Sequence, residues 1–151
     1  MINMKIYLAT DHAGLEFKEK IKSILLNLGH EPEDCGALTL DPTDDYPDFI
    51  KIAARKVSND QNSLGIVFGK SGAGECMVAN KINGIRSFLA VNELNVRLAR
   101  EHNNANVMSI GSEIIKEEEL ETLIKLFIET PFSNEERHLR RITKISQIEN
   151  E

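Results

Sequence analysis

A chain of 151 residues, of which 41% are hydrophobic, can form one domain with a buried core but is too short for two comfortable domains. Its net charge of −6, with no basic block, argues against a nucleic-acid surface. No apolar run is long enough to cross a bilayer, and Cys35 and Cys76 stand far apart, so we expect a cytoplasmic protein with reduced thiols and no membrane partner.

Strand-like and helix-like segments alternate along the chain after a short leader, Met1–Met4. In chain order they are a strand over Lys5–Thr10, a helix over Leu15–Leu28, a strand over His30–Cys35, a helix over Tyr46–Val57, a strand over Leu64–Phe68, a helix over Glu75–Ile82, a strand over Arg86–Val91, a helix from Asn92 to Glu101, a strand over Asn106–Ile110, a helix over Lys116–Ile128 and a last helix from about Ser133 to Ile148.

This alternation predicts the α/β class: a Rossmann-like open, mostly parallel five-stranded sheet with helices on both faces and an extra C-terminal helix. We expect residues 1–151 to form a single domain. Pro32 favours an edge position for the second strand, because proline cannot donate to a sheet ladder. Ligands of such sheets bind at the carboxyl ends of the strands, so the residues that follow each strand are the first candidates for a site.

The segment Ser63–Lys81 carries the most informative motif: a strand, then a loop with glycines at 69, 72 and 74, then a helix that contains Glu75. Backbone N–H groups at such a turn can hold a phosphate or an oxyanion. A plain phosphate cradle gains nothing from the adjacent Glu75, whereas an enediolate site needs a base there. An acidic residue also suits the first turn of any helix, so this stretch alone supports both interpretations equally. The spacing matches neither common nucleotide-binding glycine motif.

Titratable residues elsewhere add to this pattern. Asp11 and His12 follow the first strand directly, where a turn role is the alternative to a functional one. Arg137 and Arg141 are one helical turn apart and could clamp a phosphate, or form a solvated basic face paired with nearby glutamates. His138 and Arg140 would add positive charge there. Because no His, Asp, Glu or Cys set has ligand spacing, we expect no metal.

The segment His102-Asn103-Asn104 lies before the fifth predicted strand, at the end of that strand opposite to the ligand edge. A side chain there would reach the site of a neighbouring subunit more naturally than its own. The sequence therefore predicts an oligomer.

Five motifs occur together in order: K-I-Y-L-A-T-D-H-A-G from Lys5, D-Y-P-D from Asp45, G-K-S-G-A-G-E-C-M-V-A-N-K from Gly69, R-E-H-N-N-A-N-V from Arg100 and R-H-L-R-R-I-T-K-I from Arg137. In this order and spacing the chain resembles the type B ribose-5-phosphate isomerases and their galactose-6-phosphate isomerase relatives, from Lys5 to about Ile145. The resemblance implies a metal-independent aldose–ketose isomerase of carbohydrate metabolism, in the pentose phosphate pathway. It also implies no cofactor, and a homodimer or tetramer whose active sites are shared, with the helix over 133–148 at a subunit interface.

The reaction implied is the interconversion of ribose 5-phosphate and ribulose 5-phosphate through an enediolate, with Glu75 as the base. Gly69 stands where some relatives carry a cysteine base. Asp11 would orient the sugar and assist ring opening, and His12 would contact the phosphate. The other residues that the resemblance implies are Ser71 with the N–H groups of Gly72, Ala73 and Gly74 for the enediolate, Tyr46 for substrate binding, His102 for ring opening with Asn103 beside it, and Arg137 and Arg141 as the phosphate clamp.

Two positions depart from the family pattern. Many relatives have a small residue where Lys70 stands, and many have a phosphate-binding arginine where Glu113 stands. A carboxylate would repel a phosphate at close range. Either Lys70 supplies the missing charge or the far end of the substrate differs. The alternatives are therefore a galactose or allose 6-phosphate isomerase, a non-catalytic sugar-phosphate-binding subunit of a hetero-oligomer, and, with less support, a flavodoxin-like nucleotide-binding protein.

Overall fold

Strands and helices alternate along residues 3–151, which a computed structural model describes; the first two residues of the predicted leader lie outside the described residues. The elements are β1 (Lys5–Ala9), α1 (Leu15–Asn27), β2 (Glu31–Asp34), α2 (Tyr46–Asn59), β3 (Ser63–Gly69), α3 (Ala73–Ala79), β4 (Ser87–Leu89), α4 (Glu93–Asn103), β5 (Val107–Gly111), α5 (Leu120–Glu129) and α6 (Glu136–Ile148). Short 3-10 turns at His12–Gly14 and Glu117–Glu119 precede α1 and α5.

The strands form one sheet in the order β2-β1-β3-β5-β4, and every neighbouring pair is parallel. This confirms the predicted open five-stranded sheet, which is parallel throughout its described strands. Pro32 lies on the edge strand β2, as its missing N–H predicts. The other edge is β4, which pairs with β5 and reduces the predicted strand Arg86–Val91 to three residues.

Alternating side chains of the strands supply two apolar layers. On one face Ile6 and Leu8 pack with α1, α4 and α5 in a large buried cluster. On the other face Ala9 and Val67 pack with α2 and α3 in a smaller one. The central strand β3 is buried along its whole length, which explains its continuous apolar run.

Helix α6 stands outside these layers and packs against α4. It leaves apolar side chains uncovered, since Leu139, Ile145 and Ile148 are 46%, 41% and 65% exposed. Their i, i+3 spacing from 142 onward places an apolar stripe on one side of the helix. Across the described helices, none is both long enough and apolar enough to cross a membrane.

Helix α3 differs in its bounds from the prediction. It begins at Ala73, two residues earlier than expected, and ends at Ala79. Gly72 precedes it with φ of +76°, a left-handed conformation that favours glycine. Glu75 therefore occupies the third helical position, and the preceding N–H groups belong to the first turn.

Candidate active site

The loop from Gly69 to Gly72 is fixed at the carboxyl edge of the sheet by its neighbours. The N–H of Ser112 donates to the Gly69 carbonyl at 2.8 Å, and the Ser109 hydroxyl donates to the Gly72 carbonyl at 2.7 Å. Gly111 packs so closely on the loop that an added Cβ would overlap the Ser71 carbonyl. The loop is therefore held by β5 as well as by β3, and its shape is set before any ligand binds.

The Glu75 carboxyl lies folded back against Gly69, where a Cβ would overlap its Oε1. The residue is only 6% exposed and forms no ion pair within the described chain. Burial, with a smaller contribution from the charge of Asp11, raises the pKa of the Glu75 carboxyl above its usual range. A residue that merely capped the helix would be exposed. A buried carboxylate with raised basicity is suited to accept a proton.

Two residues named from the motifs lie beside this carboxylate. Tyr46, the first residue of α2, packs its ring and hydroxyl on Gly74. Ser71 is exposed, and its hydroxyl accepts a hydrogen bond from the Ala73 N–H at 3.2 Å. Cys76 is half-buried on another side of α3, where its sulfur is 3.8 Å from the Asn80 side-chain nitrogen. The thiol thus belongs to the packing towards β4.

The turn after β1 brings a third acid to the site. Asp11 caps the 3-10 turn by accepting the Ala13 N–H at 3.0 Å. Asp44 Oδ1 contacts both the backbone N–H of His12, at 3.2 Å, and its ring Nδ1, at 2.5 Å. This bond, with the surrounding carboxylates, raises the pKa of the His12 imidazole. Sequence reasoning missed Asp44, because it is one of several acids in a turn-rich loop without periodicity.

These same residues are the group of possible metal ligands found among residues 3–151. One ligand atom from each of Asp11, His12 and Asp44 lies within 4.8 Å of the other two. The 2.5 Å contact commits Nδ1 of His12 and Oδ1 of Asp44 to each other. The arrangement is therefore described by a hydrogen-bonded ion pair, and the expectation of no metal stays a prediction.

The remaining predicted site residues lie at the opposite, amino edge of the sheet. His102 and Asn103 end α4 just before β5, and Arg137 and Arg141 project from α6, which packs beside them. A strand of five residues spans roughly 16 Å, so the two edges are far apart. Within one chain the fold does not bring this amino-edge group (His102, Asn103, Arg137, Arg141) to the carboxyl-edge group (Asp11, His12, Tyr46, Ser71 to Gly74, Glu75).

The amino-edge group has internal order. Arg137 is paired with Glu135 at 2.8 Å and Arg140 with Glu136 at 3.0 Å, all exposed, as the alternative interpretation of a solvated basic face expected. Arg141 is exposed and forms no ion pair within the described residues. His138 was expected to add positive charge, and this is wrong: it is buried, and burial lowers the pKa of its imidazole.

Lys70 and Glu113 meet at the carboxyl edge. The N–H of Glu113 donates to the Lys70 carbonyl at 3.0 Å, and both side chains are exposed. Their side chains form no ion pair within 4.0 Å. The lysine is thus free to turn towards an anion at this edge.

Residues 6–145 match the family model described as Ribose/Galactose Isomerase. The chain belongs to this family. It is 46% identical to ribose-5-phosphate isomerase B of Mycobacterium tuberculosis (strain CDC 1551 / Oshkosh) over 149 residues, which cover 99% of this chain and 92% of that one.

Solved structures agree in fold. The crystal structure of ribose-5-phosphate isomerase B from Mycoplasma genitalium with bound ribulose-5-phosphate has a TM-score of 0.93 and 38% identity, and covers 100% of this chain and 99% of that one. The type B ribose 5-phosphate isomerase of Trypanosoma cruzi has a TM-score of 0.93 at 33% identity, with 99% and 98% covered. These comparisons confirm the family resemblance and the fold class.

Proposed function

We propose that this chain is a one-domain aldose–ketose isomerase that interconverts ribose 5-phosphate and ribulose 5-phosphate through an enediolate. The observation that carries the proposal is the buried Glu75 carboxyl, folded against Gly69 beside an exposed hydroxyl and a rigid loop. The relatives support it: the Mycobacterium tuberculosis protein bears the name of this activity, and the Mycoplasma genitalium structure holds ribulose-5-phosphate.

The chemistry requires one poorly acidic proton to leave C2 and return to C1. Glu75 takes the proton from C2 as a base and returns it to C1 as an acid, so one carboxyl serves both steps. Charge that develops on the carbonyl oxygen is stabilised by Ser71 and the N–H groups of Gly72 to Gly74. A base typically contributes ~10²–10⁴-fold and each oxyanion donor ~10²–10³-fold, so the pair can supply most of the acceleration.

The other carboxyl-edge residues prepare the substrate. Asp11 orients the sugar and assists ring opening, Tyr46 lines the pocket beside Gly74, and His12 contacts the phosphate. No cofactor or metal is needed for this chemistry. We place the enzyme in the cytoplasm, where its free cysteines stay reduced.

We further propose that the amino-edge group works in the site of a neighbouring copy, in a homodimer or a larger homo-oligomer. His102 would open the sugar ring, Asn103 would assist it, and Arg137 and Arg141 would clamp the phosphate. The separation of the two groups within one chain supports this arrangement. The uncovered apolar stripe of α6 supports an interface in the same region.

The first experiment is an interconversion assay on the purified protein with EDTA present. Ribose 5-phosphate, allose 6-phosphate and galactose 6-phosphate are offered in parallel. Turnover of the pentose phosphate supports the proposal. Turnover of a hexose phosphate alone keeps the mechanism but assigns the Glu113 edge to a longer sugar. Absence of turnover with all of them refutes the isomerase proposal and favours a binding subunit.

Shared sites can be tested by mixing two inactive variants, Glu75→Gln and His102→Gln. If each site takes groups from two chains of a dimer, random reassociation makes one intact site in each mixed dimer, and about a quarter of the wild-type activity returns. If both groups belong to one chain's site, each mixed dimer contains one chain defective in Glu75 and one defective in His102, and no activity returns.

A further inference from the structure

His12 is held by Asp44 through two hydrogen bonds to the same carboxylate oxygen. One comes from the backbone N–H at 3.2 Å, and the other joins Oδ1 to ring Nδ1 at 2.5 Å. The Asp44 side chain is only 8% exposed, and its second oxygen, Oδ2, is buried with no hydrogen-bond partner. The pair therefore fixes both the position and the orientation of the imidazole.

The contact leaves one ring nitrogen available. With Nδ1 bound to Asp44, Nε2 forms no hydrogen bond within residues 3–151, and the His12 side chain is 32% exposed. An imidazolium that donates from Nδ1 to a carboxylate can donate from Nε2 to a second acceptor. The acceptor that fits a fixed cationic donor at this edge is the phosphate of a sugar phosphate.

We propose that Asp44 is a positioning residue that keeps His12 charged and directs its Nε2–H to the substrate phosphate. The proposal rests on the proposed isomerase function, since it assigns Asp44 a part in recognising that substrate. It explains why a buried carboxylate is placed in a loop whose other acids, at 41 and 45, are exposed.

The charged groups around the ring all favour its protonated form. Asp11 lies on the same turn, and Asp41 and Asp44 lie on the loop before α2. Because the pKa of His12 is raised, its charge persists to a higher pH than that of an ordinary histidine. A phosphate monoester carries its second negative charge above about pH 6. The interval in which both charges coexist is therefore widened by Asp44.

The test compares Asp44→Asn with Asp41→Asn, which removes the same charge nearby without touching the His12 ring. Titration of the histidine ring resonances, with His12→Gln to assign the signal, measures the pKa in the free protein. We expect it to fall in Asp44→Asn and to change little in Asp41→Asn. Asp44→Ser serves the same purpose if the asparagine variant does not fold.

The kinetic arm measures KM for ribose 5-phosphate against pH. In Asp44→Asn we expect KM at pH 7.5 to rise about tenfold, as for the loss of one charge-assisted hydrogen bond, with kcat within about twofold of wild type. The rise in KM should also begin at a lower pH than in wild type, whereas Asp41→Asn should follow the wild-type profile.

Two results would overturn the inference. An unchanged His12 titration in Asp44→Asn would show that the carboxylate does not hold the charge. A lowered titration with an unchanged KM profile would show that the charge does not serve the phosphate. If the wild-type protein turns over no sugar phosphate, the proposed function fails, and the shift of the His12 signal on adding inorganic phosphate then decides whether the pair binds a phosphate group.

Discussion

The imidazole rings of His102 and His138 lie 4.3 Å apart and 33° from parallel. His138 is buried, and its Nδ1 is 2.8 Å from the Ser133 hydroxyl, so its ring is held in one orientation. His102 ends α4 and is partly exposed. The buried ring is therefore a fixed support for the one that we expect to act on a sugar.

This stack should make the protein sensitive to acid. Burial, and next the neighbouring His102, lower the pKa of His138 below its unfolded value. The unfolded chain then binds more protons than the folded one as pH falls below about 6.5, so stability is lost in that range. In His138→Gln, the melting temperature should fall less between pH 7 and pH 5 than in wild type. His30, which is also buried with a lowered pKa, keeps part of the slope. Equal slopes in the two proteins would contradict the assignment.

Removing the base should abolish turnover without weakening binding. In Glu75→Gln we expect kcat to fall about 10²–10⁴-fold, with KM little changed, because the amide keeps the shape but cannot take a proton. Steady-state kinetics with ribose 5-phosphate measure both. Cys76→Ser is the matched control and should stay active. A near-normal kcat in Glu75→Gln would remove the base assignment and return attention to Cys76.

The acid limb of the pH profile should report the same carboxyl. A base acts in its deprotonated form, so activity falls as pH drops through its pKa. Because burial and the charge of Asp11 raise the pKa of Glu75, kcat/KM should decline at a higher pH than the usual glutamate value would give. In Asp11→Asn the residual activity should persist to a lower pH. A limb that shifts upward or does not move would show that the two carboxylates do not interact.

The phosphate clamp can be tested with two arginines of one helix. Arg137→Ala should raise KM by about tenfold or more, with a smaller effect on kcat, because it removes a charge-assisted contact to the phosphate. Arg140→Ala is the control, since Arg140 has the same charge and an equivalent exposed ion pair but is not part of the clamp. Similar KM values in the two variants would support the alternative of a solvated basic face.

Lys70 is the remaining candidate for a charge at the phosphate end. If it compensates for Glu113, Lys70→Ala should raise KM for ribose 5-phosphate, while Lys125→Ala, which removes an exposed lysine of α5, should not. The backbone contact between Lys70 and Glu113 makes the compensation geometrically reasonable. An unchanged KM in Lys70→Ala would rule it out.

Periodicity and turn chemistry were enough to predict most elements. The apolar run of β3, the proline of β2 and the cap at Asn92 each act locally, so the sequence shows them directly. The order of the strands was not predictable in the same way. The outer position of β4 depends on which side of β5 the chain crosses, and no local pattern encodes that choice.

The site divides along the same line. Residues in motifs, such as Glu75 and Arg137, could be named from the sequence. Asp44 could not, because its contact with His12 joins residues 32 positions apart. His138 was named but given the wrong charge, since its burial depends on the way α6 packs on α4. Contacts between distant segments set the protonation of these groups.

The close approach of the Glu75 carboxyl to Gly69 bears on how such enzymes diverge. The resemblance implies that some relatives use a cysteine where Gly69 stands, and a side chain at that position would occupy the space of the Glu75 carboxyl. A sequence with both bases would therefore displace one of them, and a sequence with neither would have no base. Exchange between the two solutions requires paired substitutions, so a lineage that has adopted one base is sterically committed to it.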